Sequence, residues 1–370
     1  MTRVVTITSG KGGVGKTVMS VNMALHFAAL GYRTCLFDAD LGLANVNIVL
    51  GLNPQYTLAD VITKNHSLHD IIIRDYEGLD IIPGGSGVAK LADLHEVQAN
   101  DLIRTFCQLD GYDFLLFDTA AGISRNVISF CLACSEVVVI ITPEPTSVTD
   151  SYALLKVLTL NGFKGAVKMI VNHCKSEANG REVFSRFNQA VKKYLQLDIV
   201  PLGNITIDEK VAEAVGRQRP LLSLYPDSPA SISIKAIAYC LLQNQPDDSE
   251  IPSVVSFWKS CLNIFNSPLN LTNPKKLRTK TERTRNIGHG ELHLPNSNRE
   301  ISLLLSKLVH NVSLVPRELK LLRKAILGEP RITNNSNASG IIEEQKQPSR
   351  LINLDLEAYL QDRLGEEQDA

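Results

Sequence analysis

A glycine-rich stretch near the start of the chain has the residue types and spacing of a phosphate-binding loop. Residues 9–17 read Ser-Gly-Lys-Gly-Gly-Val-Gly-Lys-Thr and satisfy the pattern G-x(4)-G-K-[ST]. Glycines let the backbone approach an anion closely, the lysine can reach the β- and γ-phosphates, and the threonine hydroxyl can bind Mg²⁺. The loop therefore predicts binding of a nucleoside triphosphate with Mg²⁺ through Gly10, Lys11, Gly12, Gly13, Val14, Gly15, Lys16, Thr17 and Val18.

The segments on either side of this loop fit that chemistry. An apolar, β-branched run precedes it at Val4–Ile7, and apolar residues at helical spacing follow it from Met19 to Leu30. A phosphate loop requires this order of strand, loop and helix, and the start of the helix adds a partial positive charge.

Three carboxylates come directly after two further apolar runs. Asp38 and Asp40 follow residues 34–37, and Asp118 follows residues 113–117. Ligands of open α/β sheets gather at the carboxyl ends of the strands, so we expect these acids to face the phosphate loop with a cation between them. The alternative is that they only cap the helices that follow.

A second lysine in the loop makes the pattern more specific. Lys11 gives the sequence K-G-G-V-G-K-T, which resembles the deviant phosphate loop of the MinD/ParA ATPases. The resemblance implies that Lys11 crosses to the nucleotide of a second subunit, so that ATP joins a homodimer. A solvated loop charge is the alternative interpretation of Lys11.

The resemblance also assigns roles to the other polar residues. It implies that Lys11, Lys16 and Asp40 are catalytic, with Asp40 acting on the attacking water, and that Thr17, Asp38 and Asp118 form the magnesium site. Further nucleotide contacts are expected from Glu144 on the dimer face, Asn172 at the adenine and Asp208 in the loop that closes over the base. Each of these last three residues is equally typical of a helix start or a turn.

Three segments narrow the resemblance to one branch of the family. DADLGLANVNIVLGL at 38–52, with TLADV at 57–61, and IPGGSG at 82–87 are similar to the flagellar-number ATPases FlhG, FleN and YlxH. This branch implies a slow ATPase that cycles on and off the inner membrane, with an FlhF-like GTPase and a flagellar transcription regulator as partners. The chain starts at its first strand, where many FlhG proteins carry an N-terminal activating motif for FlhF, so the resemblance does not extend to activation of FlhF.

Length and composition agree with a cytoplasmic protein. The chain has 370 residues, a formal net charge of −1 and 7 cysteines without regular spacing. An odd cysteine count indicates a reducing compartment, and the charge gives no overall field for nucleic acid. We predict an α/β P-loop NTPase of the SIMIBI or MinD type over 1–245, with a mostly parallel twisted sheet, helices on both faces and a partly helical C-terminal tail.

Residues 253–266 form a candidate membrane-targeting segment. Val254, Trp258, Cys261 and Phe265 fall on one helical face, which suits a helix lying in the headgroup layer with its tryptophan as an anchor. A helix packed on its own domain is the alternative. The position of this segment after the ATPase resembles the targeting helix of MinD and FlhG.

The remaining tail, 267–370, begins with a basic linker. Residues 275–285 contain six basic residues and one acidic residue, which would favour an anionic membrane surface. Nucleic acid is a less favoured partner because no aromatic residue interleaves the basic ones. There are two competing functions. One is a ParA-like ATPase that positions DNA or protein cargo, and the other is a MinD-type division regulator. Two helices are predicted within 298–327.

One cysteine pair has the spacing of a metal or cluster ligand. Cys131 and Cys134 form a CxxC just before a predicted strand, and iron–sulfur relatives of the family use cysteines of both subunits. The chain has no second CxxC, so two small buried residues one helical turn apart are the favoured interpretation.

Overall fold

The fold is built on one sheet. The computed structural model describes residues 2–40, 45–64, 66–85, 96–245, 252–265, 267 and 269–270. Within them, eight strands lie in the order β3-β4-β2-β5-β1-β6-β7-β8. Only the β3–β4 pair is antiparallel. The strands are β1 (Arg3–Ser9), β2 (Thr34–Ala39), β3 (Ile73–Tyr76), β4 (Leu79–Ile82), β5 (Phe114–Ala121), β6 (Glu136–Ile141), β7 (Ala166–Cys174) and β8 (Ile199–Thr206).

Helices cover both faces of the sheet, as predicted. The helices are α1 (Lys16–Ala29), α2 (Asn45–Leu50), α3 (Leu58–Lys64), α4 (Leu68–Ile71), α5 (Glu96–Phe106), α6 (Arg125–Ala133), α7 (Pro145–Leu160), α8 (Glu177–Leu195), α9 (Glu209–Gly216), α10 (Leu221–Leu224), α11 (Pro229–Gln243) and α12 (Val254–Phe265). One core joins the sheet to α1 and α11 through residues such as Phe27 and Ile237. A second core joins it to α6 and α12 through Phe130 and Trp258. The central strands are buried on both sides, which explains their nearly continuous apolar sequences.

Strand order and register bring the predicted acids together. β5 pairs with both β1 and β2, and Asp38 lies opposite Asp118 in the β2–β5 ladder. Because these three strands are parallel, their carboxyl ends meet at the edge where the phosphate loop leaves β1. The sequence-based expectation that the acids face the loop is therefore met by the topology.

The amphipathic segment forms α12, and its apolar face is covered by the domain. Val254, Phe257, Trp258, Cys261 and Phe265 are each 0% exposed, whereas Lys259 lies on the exposed side. Arg125 Nη1 in α6 donates to the carbonyl of Phe265 at 3.1 Å. This is the arrangement of the alternative interpretation, a helix packed on its own domain. Membrane binding through this face stays a prediction and requires that α12 leave the domain.

Other sequence expectations have different outcomes. No described helix is long and apolar enough to cross a membrane. Cys131 and Cys134 are 0% and 5% exposed and are not bridged by a disulfide, in agreement with the buried-cysteine interpretation. The basic run at 275–285 and the predicted helices of 298–327 lie outside the described residues.

Candidate nucleotide-binding site

The phosphate loop connects the end of β1 to the start of α1. Gly13 and Gly15 have φ values of 76° and 91°, in the left-handed region that favours glycine. Gly10 is pressed against α7, since a Cβ there would lie 2.2 Å from the carbonyl carbon of Asp150. Side chains at these positions would therefore strain the loop or push it away from α7.

Lys16, the lysine of the G-x(4)-G-K-[ST] pattern, is held inside the loop. Lys16 is 9% exposed, and its Nζ donates to Ser9 Oγ at 2.9 Å, while Ser9 Oγ donates to the carbonyl of Lys11 at 2.6 Å. Burial lowers the pKa of Lys16, and the nearby carboxylates of Asp118 and Asp40 oppose that shift. The site thus combines a buried cation with acids at the neighbouring strand ends.

Asp38 and Asp118 form a buried pair of acids. Both are 0% exposed, and Asp38 accepts hydrogen bonds from the backbone N–H groups of Asp40 at 3.1 Å and Val46 at 3.3 Å. Burial raises the pKa of Asp38 well above its ordinary value, and the neighbouring Asp118 raises it further. Burial likewise raises the pKa of Asp118 to about 6, against the opposing effect of the Thr17 and Ser20 hydroxyls. A cation bound between the two acids would favour the ionised form of both.

The donor set fits a magnesium ion. Asp118 Oδ1 accepts from Ser20 Oγ at 2.8 Å, but Asp118 Oδ2 is buried without a hydrogen-bond partner among the described residues. No group of three or more His, Cys, Asp or Glu side chains in the described part of the chain could hold a metal by itself. A magnesium ion here would therefore be held by Thr17 and nucleotide phosphates, with Asp38 and Asp118 in contact through water.

Asp40 is positioned by the start of α2. Asn45 Nδ2 donates to Asp40 Oδ2 at 2.7 Å. The carboxylate is half-buried at the same edge of the sheet as Lys16. This location suits a group that orients water at the γ-phosphate, which is the role that the sequence resemblance implies.

Asn172 contacts the phosphate loop. Its side chain is 8% exposed, and its Nδ2 donates to the carbonyl of Val14 at 2.9 Å. A Cβ on Gly15 would lie 2.6 Å from the same nitrogen. The amide nitrogen therefore fixes the loop in this structure, and the predicted contact with adenine stays a prediction.

Asp208 caps a helix. Its Oδ1 accepts from the N–H of Lys210 at 2.9 Å in the first turn of α9, and its Oδ2 accepts from the N–H of Ala230 at 3.0 Å in α11. These bonds fix the start of α9 against α11. They match the turn-forming interpretation, and contact with a base stays a prediction.

Lys11 and Glu144 meet on the surface of one subunit. Lys11 Nζ lies 2.5 Å from Glu144 Oε2, and the two side chains are 37% and 60% exposed. The same Nζ donates to Thr146 Oγ1 at 2.9 Å. The structure thus brings together two residues that the sequence resemblance assigned to contacts between subunits.

Sequence reasoning missed several residues of the site. These are Ser9, Ser20, Asn45 and Thr146, which contact Lys16, Asp118, Asp40 and Lys11 respectively. Ser20 lies one helical turn after Lys16, so its position in α1 was a usable signal. The distant pair Thr146 and Lys11 gave none.

Strand, phosphate loop and helix, with acids at adjacent parallel strand ends, define a P-loop NTPase. The family model described as "ParA: NUBPL iron-transfer P-loop NTPase" matches residues 1–242. The chain belongs to the ParA/MinD family of P-loop NTPases, which are ATPases.

Individual relatives narrow the comparison. The chain is 42% identical over 237 residues to the antiactivator FleN of Pseudomonas aeruginosa, covering 64% of this chain and 85% of that protein. It is 32% identical over 266 residues to the flagellum site-determining protein YlxH of Helicobacter pylori, covering 70% and 90%. Among solved structures, the septum site-determining protein MinD of Pyrococcus horikoshii, complexed with Mg-ADP, is similar with a TM-score of 0.53. The two sequences are 27% identical, and the match covers 66% of this chain and 98% of the MinD chain.

Proposed function

We propose that this protein is an ATP-dependent dimerising switch that regulates the number or placement of flagella. Its similarity to FleN and YlxH over most of their lengths is the observation that carries this proposal. The sequence segments at 38–52 and 82–87 support the same branch of the family. The output would pass through a flagellar transcription regulator, an FlhF-like GTPase, or both.

The nucleotide cycle follows from the chemistry of the site. Lys16 and the loop N–H groups bind the phosphates, and Mg²⁺ neutralises both the triphosphate and the buried acids when it is bound. Lys11 reaches the nucleotide of the partner subunit, so ATP binding and dimerisation are one event. Asp40 orients the attacking water, and slow hydrolysis returns the protein to monomers.

Membrane association is assigned to α12. Trp258 packs against Phe37 at 5.5 Å and Phe117 at 5.6 Å between ring centroids. These two residues directly precede Asp38 and Asp118, so a shift of the strand ends on nucleotide binding changes the surface that holds α12. Trp258 Nε1 is buried without an acceptor among the described residues, which weakens the docked position. Released α12 and the basic run at 275–285 would together bind the cytoplasmic face of the inner membrane.

The proposal is tested by measuring assembly and lipid binding together. The full chain is incubated with Mg²⁺ and either ADP or the non-hydrolysable analogue AMP-PNP, and its mass is measured by light scattering. Co-sedimentation with anionic phosphatidylglycerol vesicles and with duplex DNA follows. We expect the wild type to form dimers and to bind vesicles with AMP-PNP but not with ADP. Lys11→Ala is expected to lose both properties. Asp40→Ala should form the same dimer with ATP and not turn it over.

A matched pair of variants tests the role of α12. Trp258→Glu changes the buried face, and Asn263→Glu makes the same change in charge on the exposed face. Vesicle binding lost only in Trp258→Glu, with ATP binding retained as a test of folding, supports membrane contact through the apolar face. Binding to DNA rather than vesicles would instead favour a ParA-like positioning ATPase. A protein that stays monomeric with AMP-PNP would overturn the switch.

A further inference from the structure

Lys11 is held on its own subunit by two acceptors. Its ammonium donates to Glu144 Oε2 at 2.5 Å and to Thr146 Oγ1 at 2.9 Å. Both acceptors lie at the start of α7, just after β6, and Lys11 lies in the loop after β1. The contact therefore closes over more than a hundred residues of chain, between two neighbouring strands of the sheet.

The acceptors are fixed relative to the loop by backbone packing. Gly10 N–H donates to Ser151 Oγ at 3.4 Å, and the tight approach of Gly10 to Asp150 leaves no room for a side chain. Thr142 N–H donates to Ser147 Oγ at 2.9 Å, which fixes the turn between β6 and α7. The two acceptors of Lys11 are thus already in place. The main cost of the contact is therefore the conformational entropy that the Lys11 side chain loses.

These contacts and a contact across the dimer exclude one another. An ammonium has three donors, and two of them are used by Glu144 and Thr146. A lysine side chain that reaches a phosphate of a second subunit must leave both acceptors, because they lie on its own α7. We propose that Glu144 and Thr146 are positioning residues that form a latch on Lys11 and oppose dimerisation. This inference rests on the proposed function, in which Lys11 binds the partner's nucleotide.

The strength of the latch suits a switch. Lys11 and Glu144 are 37% and 60% exposed, and exposed ion pairs contribute little to stability. Loss of such a pair corresponds to roughly a threefold change in an equilibrium constant. A symmetric dimer must open two latches, so release of both would strengthen dimerisation by roughly tenfold. The latch therefore raises the ATP concentration needed for assembly without preventing it.

The test measures the sign of the change in dimer affinity. The dissociation constant of the full-length dimer is measured by sedimentation velocity with saturating AMP-PNP and Mg²⁺. Glu144→Gln is expected to tighten the dimer by roughly tenfold, and Thr146→Val to tighten it less. Glu177→Gln is the matched control, because it removes an exposed glutamate whose partner is Arg181 in the same helix. A gain in affinity is a result that structural damage would not produce.

Each outcome decides between the latch and its competitors. A weaker dimer in Glu144→Gln would show that Glu144 contacts the partner subunit, and an unchanged affinity would show that the ion pair has no effect on assembly. Either result overturns the latch while leaving the switch intact. A chain that stays monomeric in the wild type and in every variant overturns the proposed function and the latch together.

Discussion

Trp258 lies flat against Phe106, with ring centroids 3.9 Å apart and the ring planes 13° from parallel. The pair joins α12 to the end of α5, and Phe37, Phe117 and Phe130 surround the same indole. Stacked and tilted aromatic pairs contribute beyond the area they bury. This cluster therefore attaches α12 to α5, to α6 and to the sheet.

Replacement of the indole is expected to separate packing from polarity. Trp258→Ala should lower the free energy of unfolding by about 3–5 kcal/mol, because it leaves a large cavity among aromatic rings. Trp258→Phe should stay within about 1 kcal/mol of the wild type, because the loss of volume is offset by removal of a buried N–H without an acceptor. Urea unfolding, followed by circular dichroism, measures both changes.

The matched control for this pair lies on the opposite side of α12. Lys259→Ala, on the exposed face, should change stability by less than about 0.5 kcal/mol. If Trp258→Phe were as damaging as Trp258→Ala, the indole N–H would have a partner in solution, and the argument that this N–H weakens the docked position of α12 would be lost.

The case of α12 shows where sequence reasoning stops. Apolar residues at helical spacing predict the helix and its buried face, and both are confirmed by the structure. The same pattern serves a membrane surface and a groove lined with Phe106, Phe117 and Phe130, since both are apolar. Only the long-range packing of α5, α6 and the sheet shows that such a groove exists.

The candidate site also has a part that the sequence could predict and a part that it could not. The phosphate loop and the strand-end acids were predictable because each depends on neighbouring residues and on one rule about parallel sheets. The partners of these groups were not predictable, since Lys11 and Glu144 are 133 residues apart. The short edge strand β3 was missed as well, because its mixed burial lacks the alternation of a strand with one buried face.

A buried charge cluster lies near the amino ends of the strands, whereas Asp38 and Asp118 lie near the carboxyl ends. Glu136 accepts from Arg3 Nε at 2.6 Å and from Lys168 Nζ, and Arg3 Nη2 also donates to the carbonyl of Leu241 at 2.7 Å. One carboxylate thus pairs with two buried cations. The bond from Arg3 to Leu241 fixes the end of α11, from which the chain continues towards α12.

We expect loss of the anion in this cluster to lower stability more than loss of one cation. Glu136→Gln should lower the free energy of unfolding by about 3–5 kcal/mol, because it leaves two buried cations without an anion. Lys168→Met should cost clearly less, because the burial that lowers the pKa of Lys168 already disfavours its charge, and an intact Arg3–Glu136 pair remains. Urea unfolding measures both. Equal losses in the two variants would contradict the charge argument and leave packing as the cause.

The role of Lys16 can be tested with a substitution that is not expected to destabilise the protein. Lys16→Gln should abolish ATP binding, because the amide replaces the one buried cation of the phosphate loop. In the wild type, ATP at a hundredfold excess over its dissociation constant should add about 2.7 kcal/mol to stability, and in the variant it should add none. Thermal unfolding with and without Mg-ATP measures this difference. Without nucleotide, the variant should be at least as stable as the wild type, because burial disfavours the lysine charge. An ATP-dependent stabilisation that persists in Lys16→Gln would contradict the assignment of the loop.

The buried acids predict a dependence of stability on pH when nucleotide and metal are left out. The pKa of Asp118 is about 6 in the folded protein and about 3.8 in an unfolded chain. The folded state therefore holds a proton that the unfolded state releases between these values, so stability falls as pH rises from about 4 to 6 and stays low above that. The difference in pKa corresponds to roughly 3 kcal/mol. The raised pKa of Asp38 acts in the same direction.

Asp118→Asn isolates this effect from the other carboxylates. The variant keeps a neutral group of the same shape, so it should be more stable than the wild type at pH 7 and similar to it at pH 4, measured by urea unfolding without Mg²⁺. The same substitution should remove the stabilisation that Mg-ATP gives the wild type, because the amide cannot offset the charge of the metal. A stability difference between the two proteins that does not change with pH would contradict the raised pKa. Together these results would show that burial of the Asp118 carboxylate lowers stability in the absence of metal and that Mg-ATP binding requires this carboxylate.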